Sequence, residues 1–477
     1  MRFIDSTQIN ILFENQGLKR WAVAATSASK RIAKLKTLRK ALVSRQGEFF
    51  DAIWKDFHKS RFEAWTTEFL PAIEEIDYTI AHLKKWMEDR PAKRTVILPT
   101  TRSYLRFEPK GRVLIMSPWN YPLLLCVSPI VSAIAAGNVI FAKPSNKTPN
   151  VSAFLASLFE SIFKKDEVAI IEGPGSSVGN VLLKLPFDHV FFTGSPEVGA
   201  HVGEMSQKVH AGLTLELGGK SPTIVLNDAD MQDAAPKIAW GKLINAGQTC
   251  IAPDYVLCPR SRVDELANEL VKSIKAMYGK TEEDRKNSPD FPRIIDTRAA
   301  ERLQNFIYDA VEKGAAIAIG GKSCVGERYV APTVLKDVTP QMKVMSSEIF
   351  GPILPILPYD TLENAIRFVQ DSPKPLALYI FGKSSKAVRS VIARTTAGST
   401  CVNNCIVQIE NLSVPFGGVG NSGTGNYHGF YGFKTFSHER NVMKQSGFDV
   451  VRFFRAPYGK AKAQAAIQKA LRFFKKM

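Results

Sequence analysis

GRVLIMSPWNYPLLLCVSPIVSAIAAGNVIFAKPSN, residues 111–146, carries the pattern on which the fold turns. A short apolar run, Val113-Leu114-Ile115-Met116, ends in the double-proline turn Ser117-Pro118-Trp119-Asn120-Tyr121-Pro122. A helix-compatible stretch follows, then a second apolar run, Val139-Ile140-Phe141-Ala142, which ends in Lys143-Pro144-Ser145-Asn146. Short apolar runs separated by helical segments predict βαβ units and a parallel sheet.

Two further runs continue the pattern, Val168–Ile171 ending in EGPG and Val190–Phe192 ending in TGSPEVG. In an open parallel sheet, ligands bind beyond the carboxyl ends of the strands. Four consecutive strand ends here carry polar, Gly or Pro-rich groups. From Gly212 onward a second α/β stretch is expected, with strands near 213–217, 222–226, 253–257, 329–335 and 375–381. Residues 15 to 90 read as helical, with Ile32, Leu35, Leu38 and Leu42 at helical spacing. The break Arg90-Pro91-Ala92-Lys93-Arg94 leads into a strand-like segment, 95–111.

A chain of 477 residues implies two or three domains. With 45% hydrophobic and 23% charged residues, it has the composition of an ordinary globular protein. Six scattered cysteines exclude a disulfide scaffold, and neither a secretory signal nor a membrane-spanning run is visible, so a cytoplasmic setting is expected. The net charge of +18 is uneven: residues 15–47 hold nine Lys or Arg and no acid, and Val451–Met477 hold eight more. No zinc-finger spacing, RNA-binding aromatic motif or helix-turn-helix accompanies this charge, so nucleic acid is not expected as a partner.

Several residues can carry chemistry. Gly194-Ser195-Pro196-Glu197-Val198-Gly199 opens an expected helix whose N–H groups can face a phosphate, although such turns are common without ligands. Lys143, at a strand's carboxyl end, can bond ribose or phosphate oxygens, or be a surface lysine. Glu216 sits inside the apolar run Leu213–Leu217, where burial raises a carboxyl pKa and suits a general base. The bland alternative is the solvated face of an edge strand. Asn120 can hold a polarised oxygen through its amide, or serve the turn. Glu348 and Phe350 pair an acid and an aromatic in a loop, with the same alternative. Cys250 follows Asn245-Ala246-Gly247-Gln248-Thr249. No CxxC pair or histidine cluster supports a metal, so the residues alone leave it between a reactive thiol and an inert core thiol. Cys258 reads as core.

The segments SPWNYP, AAGNVIFAKPS, FTGSPEVG, LELGGKSP, NAGQTC, EIFGP and PFGGVGNSG, in this order, resemble the NAD(P)-dependent aldehyde dehydrogenase family. KIAWGK (237–242), PLALYIF (375–381) and GNYHG (425–429) resemble its class 3, fatty-aldehyde-type branch. The likeness runs from about residue 15 to residue 445.

The resemblance implies an α/β fold with a Rossmann-like NAD(P)-binding domain (1–94 and 112–211) and an α/β catalytic domain (212–404). It also implies a small β oligomerisation arm with a substrate and cofactor loop (95–111 and 405–445), and a homodimer. It assigns Cys250 as the nucleophile that forms a thiohemiacetal and then a thioester. Asn120 and the Cys250 N–H become the oxyanion donors, and Glu216 the base for hydrolysis. Lys143 and Gly194, Ser195, Pro196, Glu197, Val198 and Gly199 would hold the adenosine side and phosphates, and Trp119, Glu348 and Phe350 the nicotinamide side. Tyr121, Trp240, Ile406, Ile409 and Phe416, with Trp119, suggest a hydrophobic aldehyde, medium or long-chain aliphatic or aromatic.

The sequence departs from the family pattern in three places. Asn146 stands where the family often has a ribose-binding Glu, so NADP is expected beside NAD. Glu410 interrupts an apolar substrate segment. The tail 446–477 places Ile467, Ala470, Leu471, Phe474 and Met477 at helical spacing among basic residues, which can touch a membrane surface or cap the substrate funnel. The rival functions are an acylating dehydrogenase that uses coenzyme A and a basic binding protein without catalysis.

Overall fold

The computed structural model describes residues 5–95, 98, 100–445, 447–449, 451, 452, 455–457, 464, 465, 468, 469 and 472. The chain opens with the helices Ser6–Ala24, Ala28–Ser44, Gln46–Phe57, Arg61–Ala64 and Leu70–Trp86, the last two joined by a π-helical turn, Trp65–Phe69. Leu35, Leu38 and Leu42, four or three residues apart, fall on one buried stripe of the second helix.

Of the nine basic residues in 15–47, four have partners in the protein. Arg31 is buried against backbone carbonyls, and Lys34, Arg39 and Arg45 pair with Glu167, Asp77 and Glu48. Part of this basic run is therefore buried or neutralised within the fold.

The four early apolar runs form Arg112–Met116, Val139–Lys143, Val168–Ile170 and His189–Gly194, all parallel. They are covered on both faces, which explains their unbroken apolar character. The helix Leu124–Ala136 between the first two is buried at all thirteen positions. From Arg112–Met116 the chain steps outward to 139–143 and 168–170, then returns to the other side at 189–194. The strand order therefore reverses between 112–116 and 189–194, which opens a crevice there.

The strand Gly212–Leu217, expected with the later strands, belongs to this first sheet instead. It pairs with 189–194 on one side and with Gly423–Thr424 on the other. Glu216 therefore does not lie on a free edge.

The second sheet has the order 316–319, 333–336, 353–359, 255–259, 222–225, 377–381, 399–402, with only the first strand antiparallel. The strand expected over 329–335 is split into Tyr329–Val330 and Thr333–Lys336, because Pro332 offers no N–H to a ladder. Thr101–Pro109 and Ser437–Gln445 pair over nine positions, with Arg90–Pro91 beside them, in a separate antiparallel sheet. Among the described residues no helix is long and apolar enough to cross a membrane. The tail's apolar positions Ile467, Ala470, Leu471, Phe474 and Met477 lie outside the described residues.

Candidate active site

After the helix Met231–Leu243 and the extended residue Ile244 come three consecutive left-handed residues, Asn245 (φ 54°), Ala246 (φ 52°) and Gly247 (φ 77°). For Asn and Ala this conformation costs roughly 1–3 kcal/mol each. Hydrogen bonds offset the cost. Asn245 donates its backbone N–H to Glu63 Oε1 (2.7 Å) and its side-chain amide to the carbonyls of Asn120 (2.8 Å) and Gln248 (3.1 Å). Gln248 donates to the Asn245 and Arg293 carbonyls and accepts from the Ile295 N–H. A Cβ on Gly247 would lie 2.2 Å from the Gly351 carbonyl oxygen, so only glycine fits there. This loop delivers Cys250, while Asn120, 3% exposed, is tied to it through Nδ2 to the Gln248 carbonyl at 3.1 Å.

Cys250 lines a cavity of about 780 Å³ beyond the carboxyl ends of the first sheet. Trp119, Asn120, Gly194, Ser195, Pro196, Glu197, Glu216, Glu348 and Phe350 line it too. Burial pushes the Cys250 thiol up to about 12, and the Glu348 and Glu216 carboxylates add to the effect. Glu216 is 3% exposed, neither of its oxygens has a hydrogen-bond partner, and burial holds its carboxyl well above the usual range. Cys258 is fully buried in its strand, and no group that could hold a metal occurs among the described residues.

Glu348 lies opposite, on a loop gripped from three directions. Arg302 donates to the Glu348 (3.1 Å) and Ile349 (2.7 Å) carbonyls. Lys220 pairs with Asp254 and donates to the Val344 and Ser347 carbonyls. Asp254 accepts the Ile349 N–H at 2.9 Å. Burial, then Asp254, pushes the Glu348 carboxyl up to about 8, against the Gly219 N–H that bonds it. A Cβ on Gly218 would lie 2.1 Å from Glu348 Oε2, which explains the glycine there. Phe350 meets Trp119 edge-on at 5.4 Å.

Ser195 caps the helix Pro196–Lys208, whose N-terminus faces the cavity. These groups fit a dinucleotide. The helix N-terminus suits phosphates, and Glu348 Oε1, buried without a partner, suits a ribose hydroxyl.

The other expected residues stand outside this cavity. Val198 and Gly199 lie further along the helix, where a Cβ on Gly199 would come within 2.5 Å of Leu217, so the glycine permits close helix–strand packing. Lys143 is buried, donates to the Pro144 carbonyl at 3.3 Å, and is pushed down to about 8 by burial. Trp240 is partly exposed, and Phe416 is buried under Tyr427 and His428. Ile406 N–H bonds the Tyr379 hydroxyl. Ile409 and Glu410 line a cleft of about 20 Å³ with His428, where burial raises the Glu410 carboxyl. Tyr121 is buried, with its hydroxyl 2.6 Å from that of Thr249.

Sequence reading missed Glu63, whose carboxyl burial pushes up to about 7, together with Arg302 and Asp254. Lys220 stands in a quoted segment, yet nothing local signalled its role.

The pattern that defines the "Aldehyde dehydrogenase family" matches residues 7–442. The chain is 43% identical over 413 residues to the Mus musculus protein "Aldehyde dehydrogenase family 3 member A2", covering 87% of this chain and 84% of that one. It is 40% identical over 460 residues to a Pseudomonas aeruginosa protein described as "Probable coniferyl aldehyde dehydrogenase" (95% and 94% covered). The substrate-bound structure of Staphylococcus aureus AldH superposes with a TM-score of 0.91 at 38% identity, covering 96% of this chain and 99% of that one.

Proposed function

This chain belongs to the aldehyde dehydrogenase family and is an NAD(P)-dependent oxidoreductase of aldehydes; from that premise we propose that Cys250 is its nucleophile, Asn120 its oxyanion donor and Glu216 its hydrolytic base. The supporting observation is a carboxyl with no partner, buried at 3% exposure, lining the same cavity as the thiol and the amide. The Cys250 thiolate attacks the aldehyde carbonyl carbon, since thiolate rather than thiol is the nucleophile. The Asn120 amide and the Cys250 N–H hold the oxyanion that forms. Bound NAD(P)+ supplies the hydride acceptor. Glu216 then takes a proton from the water that cleaves the Cys250 thioester, releasing the free acid rather than an acyl-coenzyme A. Glu348 and Phe350 hold the nicotinamide side, and the turn at 194–199 with Lys143 holds the adenosine side and its phosphates.

A thiol pushed up to about 12 is protonated at neutrality, and its thiolate fraction rises tenfold per pH unit below that value. Alkylation of Cys250 by iodoacetamide without cofactor should therefore accelerate about tenfold per unit between pH 7 and 9. A rate already flat above pH 7 would contradict this.

The substrate we propose is a hydrophobic aldehyde, aliphatic or aromatic. Trp119, Leu125, Met345 and Phe350 supply apolar lining, and coniferyl aldehyde stands in the name of the Pseudomonas relative. Asn146 is neutral and exposed, so a 2′-phosphate meets no carboxylate at that position. Side-by-side titrations should find NADP accepted at least as well as by relatives with Glu there, and a strong NAD-only preference would refute it.

The sheet formed by 101–109 and 437–445 is the surface we assign to pairing with a second copy, in line with the domain division above. Sedimentation should give a dimer, and a monomer at micromolar concentration would refute it.

A further inference from the structure

Beneath the Ser117–Pro122 turn lies an ion pair that the chemistry above does not use. Lys59 Nζ and Glu68 Oε1 are 2.9 Å apart, and both side chains are fully buried. Lys59 follows the helix Gln46–Phe57 directly after His58, whose left-handed backbone (φ 55°) ends that helix. Glu68 lies in the π-helical turn Trp65–Phe69, a distortion that often marks functional positions. Its second oxygen accepts the Leu123 N–H at 2.9 Å, and its carboxylate also bonds the Leu124 N–H, at the start of the buried helix.

Burying two charges is costly, and an apolar pair of equal volume would pack as well. The position of the ammonium suggests what the pair is kept for. Lys59 Nζ sits 4.0 Å from the centroid of the Tyr121 ring. The Tyr121 hydroxyl lies 2.6 Å from Thr249 Oγ1, and Thr249 immediately precedes Cys250. A cation over an aromatic face draws density from the ring. A phenol on that ring becomes a stronger hydrogen-bond donor.

We propose that Lys59, held by Glu68, is a positioning residue for the nucleophile. Its ammonium on the Tyr121 ring makes the Tyr121 hydroxyl the donor to Thr249 Oγ1, and this bond anchors the residue before Cys250 so that the thiol stays against the Cys250 and Ile251 N–H groups that favour its thiolate. The inference rests on the reading of Cys250 as the nucleophile. Other groups act on the same thiol. Glu348 and Glu216 face Cys250, the Cys250 and Ile251 N–H groups bond it, and Tyr427 is close enough to feel both Cys250 and Glu216. Tyr121 in turn feels Glu63, Cys250 and Glu68. None of these carboxylates favours a thiolate, so the two N–H groups that do must be held in place against it.

The test is the pH profile of Cys250 alkylation by iodoacetamide in the full chain, with thermal melting to verify folding. Tyr121→Phe and the double variant Lys59→Met/Glu68→Gln should each move the profile up by about one pH unit, a roughly tenfold slower reaction at pH 8. Added to Tyr121→Phe, the double variant should shift it no further. An equal additional shift in that background, or no shift from either change in folded protein, overturns the inference. Lys59→Arg keeps a cation over the ring and should retain the wild-type profile. A shift as large as that of Tyr121→Phe would overturn the proposal even if the double variant does not fold. If wild-type protein is not alkylated at Cys250 at all, the nucleophile reading fails. If it is, and the variants match it, only the role of Lys59 fails.

Discussion

Cys250→Ala should abolish aldehyde oxidation, lowering kcat/KM by roughly 10⁴-fold or more, while NAD(P)+ binds as before. The separation is physical. The groups assigned to the cofactor come from the helix start at Ser195 and the loop around Glu348, and neither hydrogen-bonds the Cys250 side chain. The loop that carries Cys250 is held by Asn245, Gln248 and Glu63, so its shape survives loss of one sulfur. Cofactor titration by fluorescence and turnover by NAD(P)H absorbance give the two readings. Cys258→Ala, in the core of the second sheet, should keep the activity and lose only packing. Retained oxidation in Cys250→Ala would end the account.

Glu216→Gln should give the second large effect, a loss of about 10²–10⁴ in steady-state turnover, preceded by a burst of about one NAD(P)H per subunit. Glutamine keeps the shape but cannot accept the water's proton, so acylation proceeds and hydrolysis stalls. The same change should not destabilise the fold. A carboxyl raised by burial favours its protonated form in the folded state, so above the unfolded value near 4.3 ionisation costs stability, increasingly as pH rises toward the folded value. The neutral amide removes that cost, and the variant should melt no lower than wild type at pH 8. A proportional fall in burst and steady state, with no transient, would place Glu216 in an earlier step.

Much of this architecture is legible in the chain because strand ends in a parallel sheet advertise themselves. SPWN, KPSN and TGSPEVG each follow an apolar run, and the crevice opens where two of those ends meet. What the sequence hides is long-range. Which sheet receives 212–217 depends on its partners at 189–194 and 423–424, and no local pattern in GLTLEL reports them. Arg302 reaches carbonyls 46 and 47 positions away, and Glu63 receives an N–H from 182 positions away. Lys59, just past a helix end, and Glu68, in a π-helical turn, carry no local signal in the sequence and become notable only under the Tyr121 ring. The residues offered for the substrate by family likeness are a different case. Tyr121, Trp240, Ile406, Ile409 and Phe416 have the expected apolar character, yet none lines the cavity that holds Cys250. Their neighbours, not their types, decide what they touch.

Mass spectrometry of the acid-quenched Glu216→Gln protein, after mixing with a hydrophobic aldehyde and NAD(P)+, reads whether a covalent acyl-enzyme forms at Cys250 and waits on Glu216 for its release. The acyl mass should appear in near-stoichiometric amount on the peptide that contains Cys250, and not on the separated Cys258 peptide. An unmodified Cys250 peptide during a full NAD(P)H burst would contradict it.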